Sequence, residues 1–359
     1  MAATAPSREG LLQRRRRKLP ATLFKTWGPE TSNVIEEDCD ALKTYQIIER
    51  IGHGSSGQVY QAEKKEDGTT VALKFMTAID QDMIQMRRSE YQILRDLDHP
   101  NIVRALDFFC SARTAVLVLS YHPGGTLSQA IRASGCPHFS EEVARHLCRM
   151  LFAAVDYLHQ HRIVHRDVKA DNILVSEDLS DLHLADFNTA RSLLDGGSLT
   201  MTGTVEYSAP EVLAGESPSE LHDIWGAGLC LHMMLTGALP RRSAKYPTLA
   251  AFHDAVTAKP VDCQGAEWSE VSQDAKDTVR RCLAVSKEER PAAMTVLKMP
   301  WLANGGGYLV TKFARNRSLS SDGAPDLPHL RPPFQRASSE PIDVSGHPRT
   351  ELTEISVTA

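Results

Sequence analysis

The chain has 359 residues, 42% hydrophobic and 24% charged, with 40 basic against 45 acidic side chains and a net charge of −5. That composition belongs to a folded chain with a real core, excludes a wholly disordered, collagenous or coiled-coil protein, and the length predicts about two domains. The mild charge demands no polyanionic partner, so nucleic-acid binding is not expected, and no apolar run reaches the about 18 residues of a membrane span. The nearest run, 224–239, is interrupted by His232 and Thr236 and reads as a buried helix. Cysteines stand at Cys39, Cys110, Cys136, Cys148, Cys230, Cys263 and Cys282, odd in number and never spaced as Cys-x-x-Cys. They point to a reducing compartment and away from a disulfide frame or a structural zinc.

Residues 1–44 read as a flexible extension. Residues 1–26 hold seven basic side chains against Glu9 alone, with Arg14, Arg15, Arg16, Arg17 and Lys18 in a row. Residues 30–40 turn acidic through Glu30, Glu36, Glu37, Asp38 and Asp40. The basic run reads as a solvated tail first, and as a nuclear-import or acidic-surface address second. No apolar segment follows it, which argues against a secretory signal. The expected location is cytoplasmic, with the nucleus as second address.

Residues 45–302 read as globular. Strands are expected at 45–51, 59–64, 70–75, 103–109 and 115–121, with one helix at 80–97 between the third and fourth. Helices are expected at 127–133, 140–161, 219–236, 248–258 and 273–284. A small sheet-rich lobe (45–119) followed by a larger helical lobe (123–302) results, the break falling near Pro123-Gly124-Gly125 where turn formers cluster. Residues 303–359 open on Gly305-Gly306-Gly307, are rich in Ser and Pro, balance six basic against six acidic side chains, and read as a mostly disordered tail.

Gly52-His53-Gly54-Ser55-Ser56-Gly57-Gln58-Val59 follows one expected strand and opens into another. Glycines let backbone amides approach a ligand without an intervening Cβ, and consecutive amides make a concavity suited to phosphate. The same pattern also serves a plain hairpin turn. A dinucleotide-binding reading needs a helix after the glycines, and Val59-Tyr60-Gln61-Ala62 reads as strand. Next comes Val71-Ala72-Leu73-Lys74-Phe75. Alternation puts Val71, Leu73 and Phe75 on one face and Ala72 and Lys74 on the other. Lys74 is thus either an edge-strand lysine or a cation aimed into a pocket. On helix 80–97, Met83, Met86, Ile93, Leu94 and Leu97 form an apolar stripe at steps of three and four, and Glu90 lies on it. An inward carboxylate is costly without a partner, and Lys74 is the candidate.

The densest cluster is His165-Arg166-Asp167-Val168-Lys169-Ala170-Asp171-Asn172, with apolar residues resuming on both sides. A solvated charged loop does not explain those flanks. Fourteen residues after Asn172 comes Asp186, in Leu184-Ala185-Asp186-Phe187-Asn188. Asn172 and Asp186 offer oxygen ligands, which suit Mg2+ rather than zinc.

Taken together, these segments resemble the signature set of eukaryotic-type serine/threonine protein kinases: glycine loop, strand lysine, helix glutamate, His-Arg-Asp loop with its asparagine, and metal-binding aspartate. Gly203-Thr204-Val205-Glu206-Tyr207-Ser208-Ala209-Pro210-Glu211 resembles the close of an activation loop. Asp223-Ile224-Trp225 with Gly228 resembles the helix anchoring the catalytic loop, and Arg290-Pro291 the arginine that pairs with a glutamate, here Glu211. The resemblance covers residues 45–302 in the right order and implies a bilobal α+β fold, with a small antiparallel-sheet lobe carrying one key helix and a larger helical lobe joined by a hinge at 120–122.

The resemblance also implies roles. Amides of Gly52, His53, Gly54, Ser55, Ser56 and Gly57 would cover the phosphates of ATP. Ile51 and Val59 would pack on adenine, with Ala72 and Leu174 in the same pocket, Leu119 guarding its back, and Ser120-Tyr121-His122 at the hinge that hydrogen-bonds adenine. Lys74, steered by Glu90, would hold the α- and β-phosphates, and Asp167 would orient the substrate hydroxyl and take its proton. Lys169 would neutralise the transferring phosphate, while Asn172 and Asp186 would hold two Mg2+ ions. Lys169 two residues after Asp167, together with Thr204, resembles serine/threonine rather than tyrosine kinases. Asp171 hints at a basic residue N-terminal to the phosphosite, and equally reads as a solvated Asp.

Protein substrates are the implied partners. Arg166 is the cation that a phosphate on the activation segment would engage, with Thr200 the best-spaced site for an upstream kinase and Thr202 and Ser198 behind it. In the tail, Ser318 and Ser339 each follow an arginine by three positions, and the Ser339 pattern resembles a ligand for phosphoserine-reading adaptors; an ordinary Ser-rich tail explains it as simply. Segment 308–319 has the mixed apolar and basic character of a calmodulin-like target or autoinhibitory helix, against which its shortness and weak periodicity weigh. Asn188 stands where the family has glycine; Asn is the side chain most tolerant of φ > 0, so a stiffened loop with the ligand Asp186 retained is expected. The competing class is a pseudokinase scaffold, which typically lacks the strand lysine, the catalytic aspartate or the metal aspartate; Lys74, Asp167, Asn172 and Asp186 are all present. A small-molecule kinase is disfavoured by the 203–211 segment. The subgroup stays open, because Gly124-Gly125-Thr126-Leu127 resembles cascade kinases and Met299-Pro300-Trp301-Leu302 resembles calmodulin-dependent ones.

Overall fold

A computed structural model describes residues 39–304, apart from 55–56, 78–80, 112–113, 134–137 and 193–203. The expectations placed on Ser55, Ser56, the basic run from Arg14 to Lys18, Ser198, Thr200, Thr202, Ser318, Ser339 and segment 308–319 lie outside the described residues.

A short helix, α1 (Asp40–Thr44), leads into β1 (Tyr45–Gly54), β2 (Gly57–Lys64), β3 (Thr70–Thr77), α2 (Gln81–Arg95), β4 (Ala105–Cys110) and β5 (Thr114–Ser120). The five strands form one antiparallel sheet in the order β1-β2-β3-β5-β4. β3 is therefore central, and the edge-strand reading of Lys74 falls. The alternation on β3 holds: Val71, Leu73 and Phe75 pack with Tyr45, Ala62, Val116 and Val118 on one face. On the other, Met76 and Leu117 join Leu94 and Leu97 in the larger core.

Two expectations are corrected here. Residues 39–44 are not a flexible end, because Cys39 and Ala41 are buried against the first face of the sheet and give α1 an apolar anchor. Met86 lies on the expected stripe of α2 yet is 48% exposed, since burial along that helix sets in at Glu90 and continues through Leu94.

The second half starts at β6 (Gly125–Thr126) and α3 (Leu127–Ala133), followed by α4 (Glu141–Gln160), β7 (Ile163–Val164), β8 (Ile173–Val175), β9 (Leu182–Leu184) and β10 (Arg191–Ser192). Then come α5 (Pro210–Leu213), α6 (Glu220–Thr236), α7 (Leu249–Ala258), α8 (Gln273–Cys282), α9 (Ala293–Leu297) and α10 (Pro300–Ala303). Ser140, Ser219, Thr248 and Ser272 cap α4, α6, α7 and α8, each side-chain oxygen accepting a first-turn N–H. The apolar run 224–239 is the buried body of α6, which stops at Gly237 with φ 77°. Gly226 on α6 permits close approach to the catalytic loop: a Cβ there would lie 2.4 Å from the Val168 carbonyl oxygen. β8 and β9 form an antiparallel hairpin, and β6 pairs with β8.

The helical half closes on Glu141. Its carboxylate accepts from the Ser272 N–H at 2.7 Å, the Ser272 hydroxyl at 2.8 Å, the Trp301 indole at 2.8 Å and Arg145 at 2.7 Å. One acid in the first turn of α4 thus holds the cap of α8 and the side chain of α10. Burial acts to raise its pKa, and these donors outweigh burial and hold it below the usual carboxylate range. Glu141→Ala is expected to lower unfolding stability by about 1–3 kcal/mol, read by urea denaturation. Because the folded pKa is depressed, this contribution is present above the ordinary Glu pKa and is lost as pH falls through the folded one. The difference between wild type and variant should therefore shrink on acidification.

Candidate active site

Lys74 is at the centre. Its side chain is 5% exposed, and its Nζ donates to Glu90 Oε1 at 2.7 Å and to Asp186 Oδ1 at 2.7 Å. Central strand β3, helix α2 and the turn after β9 are thereby joined at one ammonium group. Burial works against the charge of Lys74, and the two carboxylates outweigh it, so its pKa is raised. Burial likewise pushes the Asp186 carboxyl up, and Lys74, with smaller help from His165 and Lys169, brings it below the usual range. Both shifts favour the ionised forms, an ammonium against two carboxylates.

The hairpin of β8 and β9 brings Asn172 and Asp186 together. Ile173 pairs with Leu184, so the residues just outside that pair are neighbours, and the Ala185 N–H donates to the Asn172 carbonyl at 2.8 Å. Asn172 Nδ2 donates to both the backbone oxygen and Oδ2 of Asp167, each at 2.9 Å. This spends the amide nitrogen and leaves Oδ1 as the oxygen for a cation. Lys169 Nζ donates to Asp167 Oδ2 at 2.6 Å and to Thr204 Oγ1 at 2.8 Å. The Thr204 N–H reaches Asp167 Oδ1 at 3.4 Å. Asp167, Lys169, Asn172 and Thr204 thus form one hydrogen-bonded group beside the Lys74 cluster.

The catalytic loop is held from below by Asp223 on α6, which is fully buried. Its carboxylate accepts the N–H of His165 at 2.9 Å, the N–H of Arg166 at 2.8 Å and His159 Nε2 at 3.0 Å. Burial alone would raise this acid; the His159 hydrogen bond and nearby histidines hold it down instead. These bonds sustain an unusual backbone at Arg166, whose φ is 70°; Asp186, elsewhere in the site, is left-handed too with φ 62°. His165 Nε2 lies 3.1 Å from the Ala185 carbonyl, and its ring packs edge-on against Phe187 at 4.7 Å. Arg290 donates to Glu211 Oε1 at 2.8 Å beneath α5, with its guanidinium over Trp225.

The nucleotide-side residues share one sheet face. Gly52 pairs with Val59, Val59 with Lys74, and Ala72 with Leu119. His53 and Gly54 pair with Gln58 and Gly57 at the tip of the β1–β2 hairpin. Gly57 has φ 140°, and a Cβ there would meet the Phe75 carbonyl oxygen at 2.1 Å, so only glycine fits. Ile51 is 42% exposed. Ser120 ends β5 and Tyr121 and His122 follow it, while Leu174 lies in β8. Asn188 is not among the residues with positive φ, whereas Asp186 is. The position therefore makes no demand that only glycine meets.

Several participants carry no sequence signal of their own. His159 is one helical histidine among many. Arg191 enters because β10 pairs with β7, Arg191 opposite Val164, which brings its charge beside Arg166. His122 and His183 stack with ring centroids 3.5 Å apart, though 61 positions separate them in the chain.

A two-lobed fold with this constellation defines a phosphotransferase acting from a nucleotide. The chain belongs to the protein kinase family, whose domain model matches residues 45–302. It is 31% identical over 316 residues to a probable myosin light chain kinase of Dictyostelium discoideum, covering 83% of this chain and 78% of that one. Against mitogen-activated protein kinase kinase kinase 2 of Arabidopsis thaliana it is 33% identical, over 70% of this chain and 40% of that one. Against the Aurora kinase of Schizosaccharomyces pombe it is 31% identical, over 72% and 71%. The chain thus spans less than half of some relatives and most of others. These relatives are serine/threonine kinases, and the chain is of that class, its subgroup unresolved among them. Protein kinases act on protein substrates with ATP and Mg2+, and among the described residues no helix is long and apolar enough to cross a membrane.

Asp223→Ala is expected to leave two buried backbone N–H groups unpaired, at about 1–3 kcal/mol each, and to depress phosphotransfer with stability. The folded pKa of Asp223 lies below the ordinary value of about 3.9. Its contribution is therefore present above that value and lost as pH falls through the folded one. Thermal denaturation of wild type and variant across pH 3–7 should show the two converging in acid.

Proposed function

We propose that the chain transfers the γ-phosphate of ATP to serine and threonine hydroxyls of protein substrates through the residues just described. The carrying observation is the Lys74 ammonium held at 2.7 Å by both Glu90 and Asp186, next to the hydrogen-bonded Asp167 group. In this reading Lys74 holds the α- and β-phosphates and Glu90 keeps it aimed. Asp167 orients the substrate hydroxyl and accepts its proton, with Lys169 and Thr204 fixing the carboxylate. The donor set fits magnesium: Asn172 Oδ1 and the ionised Asp186 carboxylate are hard oxygen ligands side by side. The glycines at Gly52, Gly54 and Gly57 suit a backbone cradle for phosphates. When bound, the metal neutralises phosphate charge; the protein's own part is positioning, since a loose transition state asks for little covalent chemistry.

Control by the activation segment is part of this reading. Arg166 is 4% exposed, and burial together with the neighbouring Arg191 lowers its guanidinium pKa. Two crowded cations beside the catalytic loop are a receptor suited to a dianion, which supports phosphorylation of Thr200 by an upstream kinase. Thr200 itself lies outside the described residues, as does Ser339, for which a phosphoserine-reading adaptor remains our proposal. Asp171 is exposed beside the loop, consistent with a basic residue N-terminal to the phosphosite.

The test is a γ-phosphate transfer assay on a degenerate peptide array, with Asp186→Ala as the inactive control. Wild type should label serine and threonine peptides; no labelling by protein phosphorylated on its activation segment would overturn the reading. Asp167→Ala is expected to lower kcat by about 10²–10⁴-fold. Thr200→Ala is expected to lower the rate as well, and an undiminished rate would remove the proposed control.

A further inference from the structure

The hinge carries a side-chain network of its own. The Arg104 N–H donates to Ser120 Oγ at 3.0 Å, and the Ser120 N–H returns to the Arg104 carbonyl at 2.9 Å. Ser120 Oγ also lies 2.8 Å from His122 Nε2. A hydroxyl oxygen accepts twice and donates once, so Oγ holds the Arg104 N–H and the imidazole at the same time. The other contact of His122 is the face of His183, at 3.5 Å between centroids and 27° between planes. His183 lies in β9, opposite Leu174 in β8, three residues before Asp186. The charged or titratable groups facing this pair are each other and Asp181, 3.8 Å from His183 Nε2. Burial, then the neighbouring ring, brings His122 down to about 4, so both contacts are those of a neutral imidazole near neutral pH.

We propose that His122 is a positioning residue for the nucleotide: hydrogen-bonded to Ser120 and stacked on His183, it locks the adenine-binding backbone of residues 120–122 to the strand that leads into Asp186. The adenine end and the metal end of the site are then set by one rigid piece. Without the stack, the backbone after β5 keeps only the Ser120–Arg104 bonds. Residues 121–124, between Ser120 and the β6–β8 pairing that starts at Gly125, lose the side-chain tie to β9, and ATP must order them on binding. This inference rests on the kinase reading, since it presumes that the hinge backbone receives adenine.

The experiment measures Kd for ATP and for adenosine, by calorimetry, on the full chain as wild type, His122→Ala, His183→Ala and the double variant. Adenosine isolates the hinge from the phosphate end. His122→Ala is expected to weaken both ligands about tenfold, equivalent to about 1.4 kcal/mol. His183→Ala should do the same, and the double variant should be no worse than either single one, because the rings act as a unit. In turnover the loss should appear as a raised KM for ATP with a much smaller change in kcat, a split that general destabilisation would not produce. Unchanged adenosine affinity in the single variants, or losses that add in the double, would overturn the inference while leaving the kinase reading intact. Wild type that binds neither ligand would overturn both. Should His122→Ala fail to fold, His183→Ala, on a strand whose backbone ladder does not depend on that ring, carries the same comparison.

Discussion

A single ammonium group in a dry setting organises the nucleotide side of this protein. Lys74 cannot stay charged on a central strand without compensation, because burial opposes the charge. Its compensation comes from two carboxylates, 16 and 112 residues away in the chain. Satisfying Lys74 therefore requires α2 to lie against the sheet with Glu90 inward, and the turn after β9 to come up beneath it. Each partner would be costly to bury alone, so the three are stable together or not at all. The cost of burying charge is converted into a geometric constraint, one that fixes an ammonium and two carboxylates from three distant segments at one point.

Asp223 plays the matching part in the helical half, with backbone in place of a side-chain cation. Two consecutive N–H groups can converge on one carboxylate only if the chain turns sharply, and Arg166 meets this with φ 70°. Left-handed backbone at a non-glycine residue costs energy and persists where surrounding bonds over-determine it. Here those bonds come from the middle of the helical core, since α6 is apolar nearly all round and pressed against Val168 at Gly226. The rigidity of the core thus reaches Asp167 through only a few covalent bonds. Asn172 and Lys169 then add hydrogen bonds to the same residue, leaving its carboxylate little freedom.

The local order of the chain was readable because each element carried its own period. Alternation marked β3, and Ser140, Ser219 and Thr248 marked helix starts to within a residue, the structure assigning each as a cap. The Lys74–Glu90 pair was readable for a physical reason too: a lone acid on an apolar stripe and a lone cation on a buried strand each need a partner. What stayed hidden was whatever depended on register and docking. Met86 fits the helical period as well as Leu94 does, and only the reach of the sheet decides that one is exposed and the other buried. Arg191 and the His122–His183 stack follow from strand pairing between distant segments. Cys39 and Ala41 are buried by a surface that the preceding composition does not announce. Glu141 reads as an ordinary first-turn acid until the cap of α8 and the indole of Trp301 arrive beside it.

Asn188 shows how the same logic weighs a departure from the family pattern. Glycine after Asp-Phe would be obligatory if that position had to be left-handed or if a Cβ met an immovable neighbour. Neither holds here, for the left-handed residue is Asp186, which short-range hydrogen bonding suits to that region better than most side chains. Nor does Asn188 take part in the bonds that fix Asp186 and Asn172, which run from Lys74 to Asp186 and from Ala185 to Asn172. What a β-carbon at 188 removes is conformational freedom in states where the loop rearranges. In the present arrangement Asn188 Oδ1 is among the described buried atoms without a hydrogen-bond partner, so the side chain bears on this arrangement as well as on its alternatives. Removing Lys74 alone would strand Glu90, a 2% exposed carboxylate, without its cation. The presence of all three, beside a loop whose His165 and Arg166 amides are held by Asp223, accords with the protein kinase family to which the chain belongs.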